Sequence, residues 1–577
     1  MSIAGMWKYV CFVLVFQFVF REGESVTFIK PKGVVRNLIV STNNGYIQGR
    51  TKTTYNGKTF WAYQGIPYAK PPIGNLRFRA SEPSMPWKGV LDATEEGQTC
   101  VETIPGNSDV TVSGYEDCLY INVYAPENPQ NTSLLKPVLI WIYGGAFIFG
   151  NSSSEFYGPD NFLDRDIVVV TFNYRVGIFG FLSTMDMESP GNYGLKDQNL
   201  ALKWVQLNIK NFGGDKNSVT IAGQSAGAAS VFYHIASPKS EGLFNNAIAN
   251  SGSSLCSWSY QRNPKRIAFD VGLAVGIKTK NTEDLVARLR KTDIEELKKA
   301  SRLIVLLFVP QTDREGFPFG PSIEPYHRDA FLTNTAFSSF EKGNFNRVPI
   351  LTGVNTLETM FFDVVFDLIR PLNILYDLSP GSLPSSEMNI KTAEERRKAG
   401  LAIKKLYFKS GSYIEATKKE LFEYTSDERF IRPIRKTVQL VSRYTQLYFY
   451  VFSYVGDYGL TVLEGILDSR PVHGVPHLEE EAYVWKRSPV PHPEGLDKLT
   501  LLRVMQMWSN FIKTSNPTPL RDDLLQGVVW PQVRSPKNIT YLEIDKDLSI
   551  KYNYRQMYME YWDKLYKIYG HRPYSTY

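Results

Sequence analysis

The sequence predicts an α/β fold: a large, mostly parallel central sheet flanked by helices, with a small antiparallel sheet on its N-terminal side. Three observations carry this. The segments Val138 to Ile142, Ile167 to Phe172 and Val219 to Ile221 are nearly continuous apolar runs, as in strands covered on both faces. Between the last two lies Leu200 to Ile209, with Trp204 and Val205 at helical spacing, so strand and helix alternate as around a parallel sheet. Near the start, Asn44 to Gln48 and Phe60 to Tyr63 alternate in polarity between glycines, which predicts the small sheet.

At 577 residues and 43% hydrophobic the chain can bury a large core, and no repeat or low-complexity tract divides it. The net charge of +7 arises from 65 basic and 58 acidic residues. Basic clusters such as Arg396-Arg397-Lys398 sit beside acids in helical segments, so a solvated face is expected and no nucleic-acid surface.

The N-terminus holds Lys8, an apolar run from Tyr9 to Phe20 broken only by Gln17, and then Arg21-Glu22-Gly23-Glu24. That length suits a signal-peptide core and is too short to span a bilayer. Residues 1–23 are therefore expected to be a signal peptide and 24–577 a single domain, with cleavage between Arg21 and Ser25. The alternative is an uncleaved anchor. No later segment looks transmembrane, so the mature protein is expected to be secreted, extracellular and without a stable membrane anchor. Cys11 would leave with the signal. Of the remaining cysteines, Cys100 and Cys118 can close a short loop, worth about 3 kcal/mol by chain entropy, and Cys256 is left over as a buried thiol or an intermolecular link. Sequons at Asn131, Asn151 and Asn538 agree with an extracellular life.

Along the chain, a Pro- and Gly-rich passage from Gly65 to Phe78 reads as irregular rim, and Glu116 to Tyr124 as a strand. The Val138 strand runs into Tyr143-Gly144-Gly145-Ala146-Phe147-Ile148-Phe149-Gly150. Small residues straight after a buried strand leave backbone N–H groups uncovered, as binding an oxyanion requires; an ordinary glycine turn would read the same way in isolation. The Val219 strand enters Gly223-Gln224-Ser225-Ala226-Gly227, followed by small residues and Val231-Phe232-Tyr233 with helical character. Strand, sharp turn and helix would present the Ser225 hydroxyl at the carboxyl edge of a parallel sheet, where α/β folds place ligands. Glu283 to Lys299 and Glu394 to Tyr407 read as helices. Between them, Pro349 to Glu358 is a buried strand ending in an acid. Tyr448 to Tyr454 is a further strand, and a loop carries Val472 to Glu481 with His473 and His477. Serine, acid and histidine thus follow in chain order.

Together these residues resemble a type-B carboxylesterase of the cholinesterase family, an α/β-hydrolase fold, over about Asn43 to Trp562. Further matching motifs are Asn173-Tyr174-Arg175-Val176-Gly177, Asp197-Gln198, Asn211-Phe212-Gly213-Gly214-Asp215, Asn250-Ser251-Gly252 and Gly474 to His477. The resemblance implies Ser225 as nucleophile, His477 as base and Glu358 as its acid. It also implies Gly145, Ala146 and Ala226 as oxyanion donors, a Cys100–Cys118 disulfide, and Arg77–Glu116 and Arg175–Asp197 as structural ion pairs. An imidazole suits the base role at neutral pH, and a carboxylate would hold its tautomer. His473 competes on residue type but sits a turn early, and His234 reads as a packed helix residue. With six histidines scattered and no H-E-x-x-H spacing, no metal and no cofactor are expected.

This chain departs from the family pattern in carrying Ala146 where many relatives have a third glycine, and Leu357-Glu358-Thr359 where they have Asp-Glu-Gly. Cholinesterases hold a quaternary ammonium on a tryptophan in the first cysteine loop, whereas Val101 to Asp117 here has Tyr115 as its sole aromatic, which argues against choline esters. Gln224, with Asp197-Gln198 and a G-x-x-H-x-x-E spacing from Gly474 to Glu480, resembles insect juvenile hormone esterases. The resemblance implies a hydrolase of small, neutral, hydrophobic esters, of hormone, odorant or xenobiotic type. The alternative is a catalytically inactive cholinesterase-like adhesion or binding protein. Oligomeric state is not readable from the sequence.

Overall fold

The computed structural model describes residues 38–105, 110–308, 316–362, 374–459, 472–488 and 490–577. The expected signal segment, with Cys11, lies outside the described residues. In chain order the strands are β1 (Ile39–Thr42), β2 (Gly45–Gln48), β3 (Arg50–Thr53), β4 (Thr59–Pro67), β5 (Val90–Asp92), β6 (Glu102–Pro105), β7 (Val110–Ser113) and β8 (Tyr120–Ala125). They continue with β9 (Lys136–Ile142), β10 (Val168–Phe172), β11 (Gly214–Gln224), β12 (Asn246–Asn250), β13 (Ile350–Asn355), β14 (Leu447–Phe452), β15 (Thr540–Ile544) and β16 (Leu548–Tyr552).

Eleven strands form one sheet in the order β16-β15-β14-β13-β12-β11-β9-β10-β8-β4-β3. From β15 across to β10 neighbouring strands run parallel, while β8, β4 and β3 on one side and β16 on the other are antiparallel. This is the predicted architecture, a large mixed sheet with its parallel strands at the centre. The apolar runs have the expected cause: β10, β12, β13 and β14 are buried at every residue, with helices on both faces. Helix Tyr193–Asn208 is tied to the chain after β10 by the buried Arg175–Asp197 pair, whose two side-chain hydrogen bonds are both 2.7 Å.

The small N-terminal sheet is β1-β2-β5, with β1 and β2 antiparallel and β5 parallel to β2. Asn44 to Gln48 supplies β2, but Phe60 to Tyr63 lies in β4 of the large sheet. There β4 shifts register between Tyr63 and Ile66, around Gly65 at φ 68°, where a Cβ would meet the Glu95 carbonyl oxygen at 2.5 Å. Glu283 to Lys299 divides into helices Thr282–Lys291 and Ile294–Phe308. At the break the Arg77 guanidinium donates to the Thr292 carbonyl at 2.6 Å while holding Glu116 through two further bonds of 2.6 Å, and Asp293 Oδ1 accepts the Glu295 N–H at 2.9 Å. With Glu116 so engaged and Cys118 joined to Cys100, strand structure begins only at Tyr120.

Candidate active site

The parallel strands deliver three loops to one edge. After β11, Ser225 adopts φ 58° and ψ −121°, and helix Ala226–Ala236 begins at the next residue. A non-glycine residue there costs of order 1 kcal/mol or more, so its surroundings must hold it. They do so by close packing. A Cβ on Gly227 would lie 2.0 Å from the Ile142 carbonyl oxygen, one on Gly223 2.5 Å from the Gly227 carbonyl carbon, and one on Gly252 2.2 Å from the Ser225 oxygen. The Ser225 N–H donates to the Asn250 carbonyl at 3.0 Å, fixing the turn to β12.

After β13, Glu358 opens a single 3₁₀ turn, Glu358–Phe362, and is fully buried. Its Oε1 accepts the Asn355 N–H at 2.8 Å, and its Oε2 lies 2.6 Å from His477 Nδ1. The His477 N–H also donates to the Glu358 carbonyl at 3.0 Å, and the Asn355 side chain donates to the Pro476 carbonyl at 2.8 Å. The histidine loop is therefore clamped to the β13 end at several points. Thr359, in the place of the family glycine, is accommodated: its hydroxyl pairs with Thr425 at 2.6 Å and Ser426 at 3.0 Å. His473 is exposed and apart from the acid.

The other ring nitrogen, His477 Nε2, lies 3.0 Å from the Gln224 amide nitrogen. Among the described residues no hydrogen bond joins Ser225 to the ring. Serine and histidine are thus brought to the same edge, with the buried Gln224 carboxamide against the ring. The sequence reading gave Gln224 no such contact.

After β9, Gly145, Ala146 and Phe147 have positive φ of 100°, 56° and 62°. Among the described residues the N–H groups of Gly145, Ala146 and Ala226 donate to no protein acceptor, while the Gly145 carbonyl accepts from Ile148 and Phe149 at 3.0 Å each. Three free donors beside the half-buried Ser225 can stabilise a developing oxyanion.

An apolar wall backs the imidazole. The Phe430 ring centroid is 4.8 Å from that of His477, and Trp258 lies 5.5 Å from Phe430. Phe430 sits on a π-helical turn, Asp427–Ile431, and such turns concentrate at functional sites. No sequence signal pointed to it. Behind the triad candidates, Glu480 accepts from Ser251 at 3.1 Å and from Asn355, and Glu481 accepts from Asn250 at 3.2 Å. Burial raises both carboxyls well above the usual range, reinforced at Glu480 by Glu358 and at Glu481 by Glu480. The glutamate run after His477 was the available signal. His234 is a packed residue, bonded to Ser240 and Gln198 and lowered to about 3 by burial.

Cys100 and Cys118 form a disulfide with Cα atoms 4.9 Å apart, and Cys256 is a buried free thiol. Asn131 and Asn538 are exposed, and Asn151 is half-buried at the end of the glycine loop. Among the described residues no helix is long and apolar enough to cross a membrane.

Residues 36–562 match the family described as the carboxylesterase family. The chain is 35% identical over 514 residues to esterase FE4 of Myzus persicae, covering 87% of this chain and 88% of that one. It is 32% identical over 511 residues to a juvenile hormone esterase of Tribolium castaneum, covering 83% and 84%. Among solved structures, juvenile hormone esterase from Manduca sexta, with OTFP covalently attached, matches with a TM-score of 0.81 and 29% identity over 92% of this chain and 99% of that one.

Proposed function

The chain belongs to the carboxylesterase family and is a carboxylesterase-type hydrolase; on that premise we propose that it cleaves neutral hydrophobic esters through an acyl-enzyme on Ser225. Ser225 Oγ attacks the ester carbonyl and its proton passes to His477 Nε2, displacing the Gln224 amide as that nitrogen's partner. The oxyanion is held by the N–H groups of Gly145, Ala146 and Ala226. The imidazolium returns its proton to the leaving alcohol, and water then attacks the acyl-enzyme by the same route in reverse. Glu358 keeps the ring oriented and balances its charge. The observation that carries this reading is the 2.6 Å Glu358–His477 contact at the sheet edge that also bears the strained Ser225.

The apolar wall of Phe430 and Trp258 favours a hydrophobic acyl or alcohol group, and the cysteine loop offers no tryptophan to a quaternary ammonium. The juvenile hormone esterases among the relatives make a hormone ester one candidate substrate; detoxifying hydrolysis of xenobiotic esters is the other. Secretion is supported by the apolar N-terminal run and by the disulfide, which belongs to an oxidising compartment.

Hydrolysis of p-nitrophenyl butyrate, a naphthyl ester and juvenile hormone by the secreted protein and its S225A variant tests the proposal. A fall in kcat of about 10⁶ in S225A is expected if the three residues act as a unit. Turnover surviving in S225A would remove the nucleophile, and no turnover of any ester by folded wild-type protein would favour a binding protein. The ratio of kcat/KM values separates a hormone-specific enzyme from a broad one.

A further inference from the structure

The glycine loop after β9 is held from outside. Ala146 and Phe147 carry side chains in a sparsely populated backbone region, so the loop keeps its shape only where neighbours over-determine it. The Gly177 N–H donates to the Phe147 carbonyl at 2.7 Å, and the Thr103 N–H to the Ile148 carbonyl at 2.8 Å. The third contact is of another kind: the Gly150 N–H donates to Glu102 Oε2 at 2.8 Å. Glu102 and Thr103 lie on β6, inside the loop closed by the Cys100–Cys118 disulfide. Thr103 Oγ1 is tied at 2.7 Å to Ser301 Oγ, on helix Ile294–Phe308.

Glu102 is 7% exposed, and the partner found for it among the described residues is this backbone N–H, not a cation. Burying a carboxyl is costly without strong compensation, and one hydrogen bond recovers only part of that cost. Burial accordingly raises it to about 7, with the Gly150 N–H pulling the other way. A neutral side chain would have filled the space at less cost, so its geometry invites a role.

We infer that Glu102 is a positioning residue for the reaction: its carboxyl pins Gly150 and thereby keeps the Gly145–Ala146 turn aimed at the developing oxyanion. The inference rests on the Ser225 reading above. A side-chain acceptor at the loop's far end adds a third restraint to the two backbone bonds. It also joins the disulfide-closed loop to the glycine loop.

The test compares wild type, E102A, E102Q, E102D and S225A on p-nitrophenyl butyrate and on a trifluoromethyl ketone. The ketone's tetrahedral adduct on the nucleophile places an oxyanion in the hole. E102A is expected to lower kcat about tenfold or more with KM little changed, and to raise the ketone Ki by a similar factor. E102Q, which keeps a carbonyl acceptor, is expected to return both within about threefold of wild type. Should E102A not fold, E102D gives the same readout, since it withdraws the oxygen by one methylene: kcat/KM and Ki moving in step supports the inference. Wild-type kcat and Ki in E102A, or in E102D where that variant stands in, would overturn it. So would an E102Q as impaired as E102A, or a loss of kcat with ketone affinity unchanged. Turnover surviving in S225A would instead overturn the Ser225 reading, a separate failure.

Discussion

At the scale of single residues, the contact that decides most is the 3.0 Å approach of the Gln224 amide to His477 Nε2. An amide N–H offered to that nitrogen uses its lone pair, which places the ring proton on Nδ1, facing Glu358. A carboxylate in the same place would offer that nitrogen no N–H. Q224E is therefore expected to lower kcat/KM on a neutral ester by about tenfold. Unchanged kcat/KM would mean that Gln224 does not reach the ring in solution. Nothing in the five-residue motif revealed this contact, because the direction of a side chain next to the elbow depends on where a loop 253 residues later is clamped. The positions of Ser225 and Glu358 at strand ends were legible for the opposite reason, since each follows a buried strand, whereas the roles expected of Ser225, Glu358 and His477 came from the family resemblance. Thr359 and Glu102 were not legible, since their partners lie 66 and 48 residues away.

At the scale of elements, the strands of the parallel sheet were readable because burial on both faces leaves an apolar run. What local pattern could not report was tertiary interruption. The segment from Glu283 to Lys299 reads as one helix, yet it breaks at Thr292, whose carbonyl accepts from Arg77. The serine turn is the converse case, since a sharp turn was read from local sequence and its glycines are packed against backbone that cannot yield. A methyl on Gly227 would lie 2.0 Å from the Ile142 carbonyl oxygen and 2.8 Å from that of Tyr143. G227A is expected to destabilise the fold by about 3 kcal/mol and to displace the nucleophile, so that denaturant midpoint and turnover fall together. Wild-type midpoint and turnover in G227A would contradict the packing described for the elbow.

At the scale of the whole molecule, the carboxyl edge of one sheet gathers loops from β9, β11 and β13 and the histidine loop, with the buried carboxyls of Glu480 and Glu481 behind them. Glu481, buried next to Glu480, has its carboxyl raised from 4.5 to about 8 by burial and by that neighbour. Because the folded value exceeds the unfolded one, the folded form keeps a proton that the unfolded chain releases. The stability this confers is full below the unfolded value and is lost as pH rises through the folded one. E481Q is thus expected to flatten the decline of Tm between about pH 5 and pH 8. A decline as steep as in wild type would show that Glu481 does not hold the proton. The central claim, that Ser225 is the residue acylated, is tested most directly by titrating the intact protein with a fluorophosphonate and locating the adduct by mass spectrometry. The account predicts one equivalent of phosphonate on the peptide containing Ser225, formed in step with loss of ester turnover. An adduct on another residue, or turnover that survives full labelling of Ser225, would contradict it.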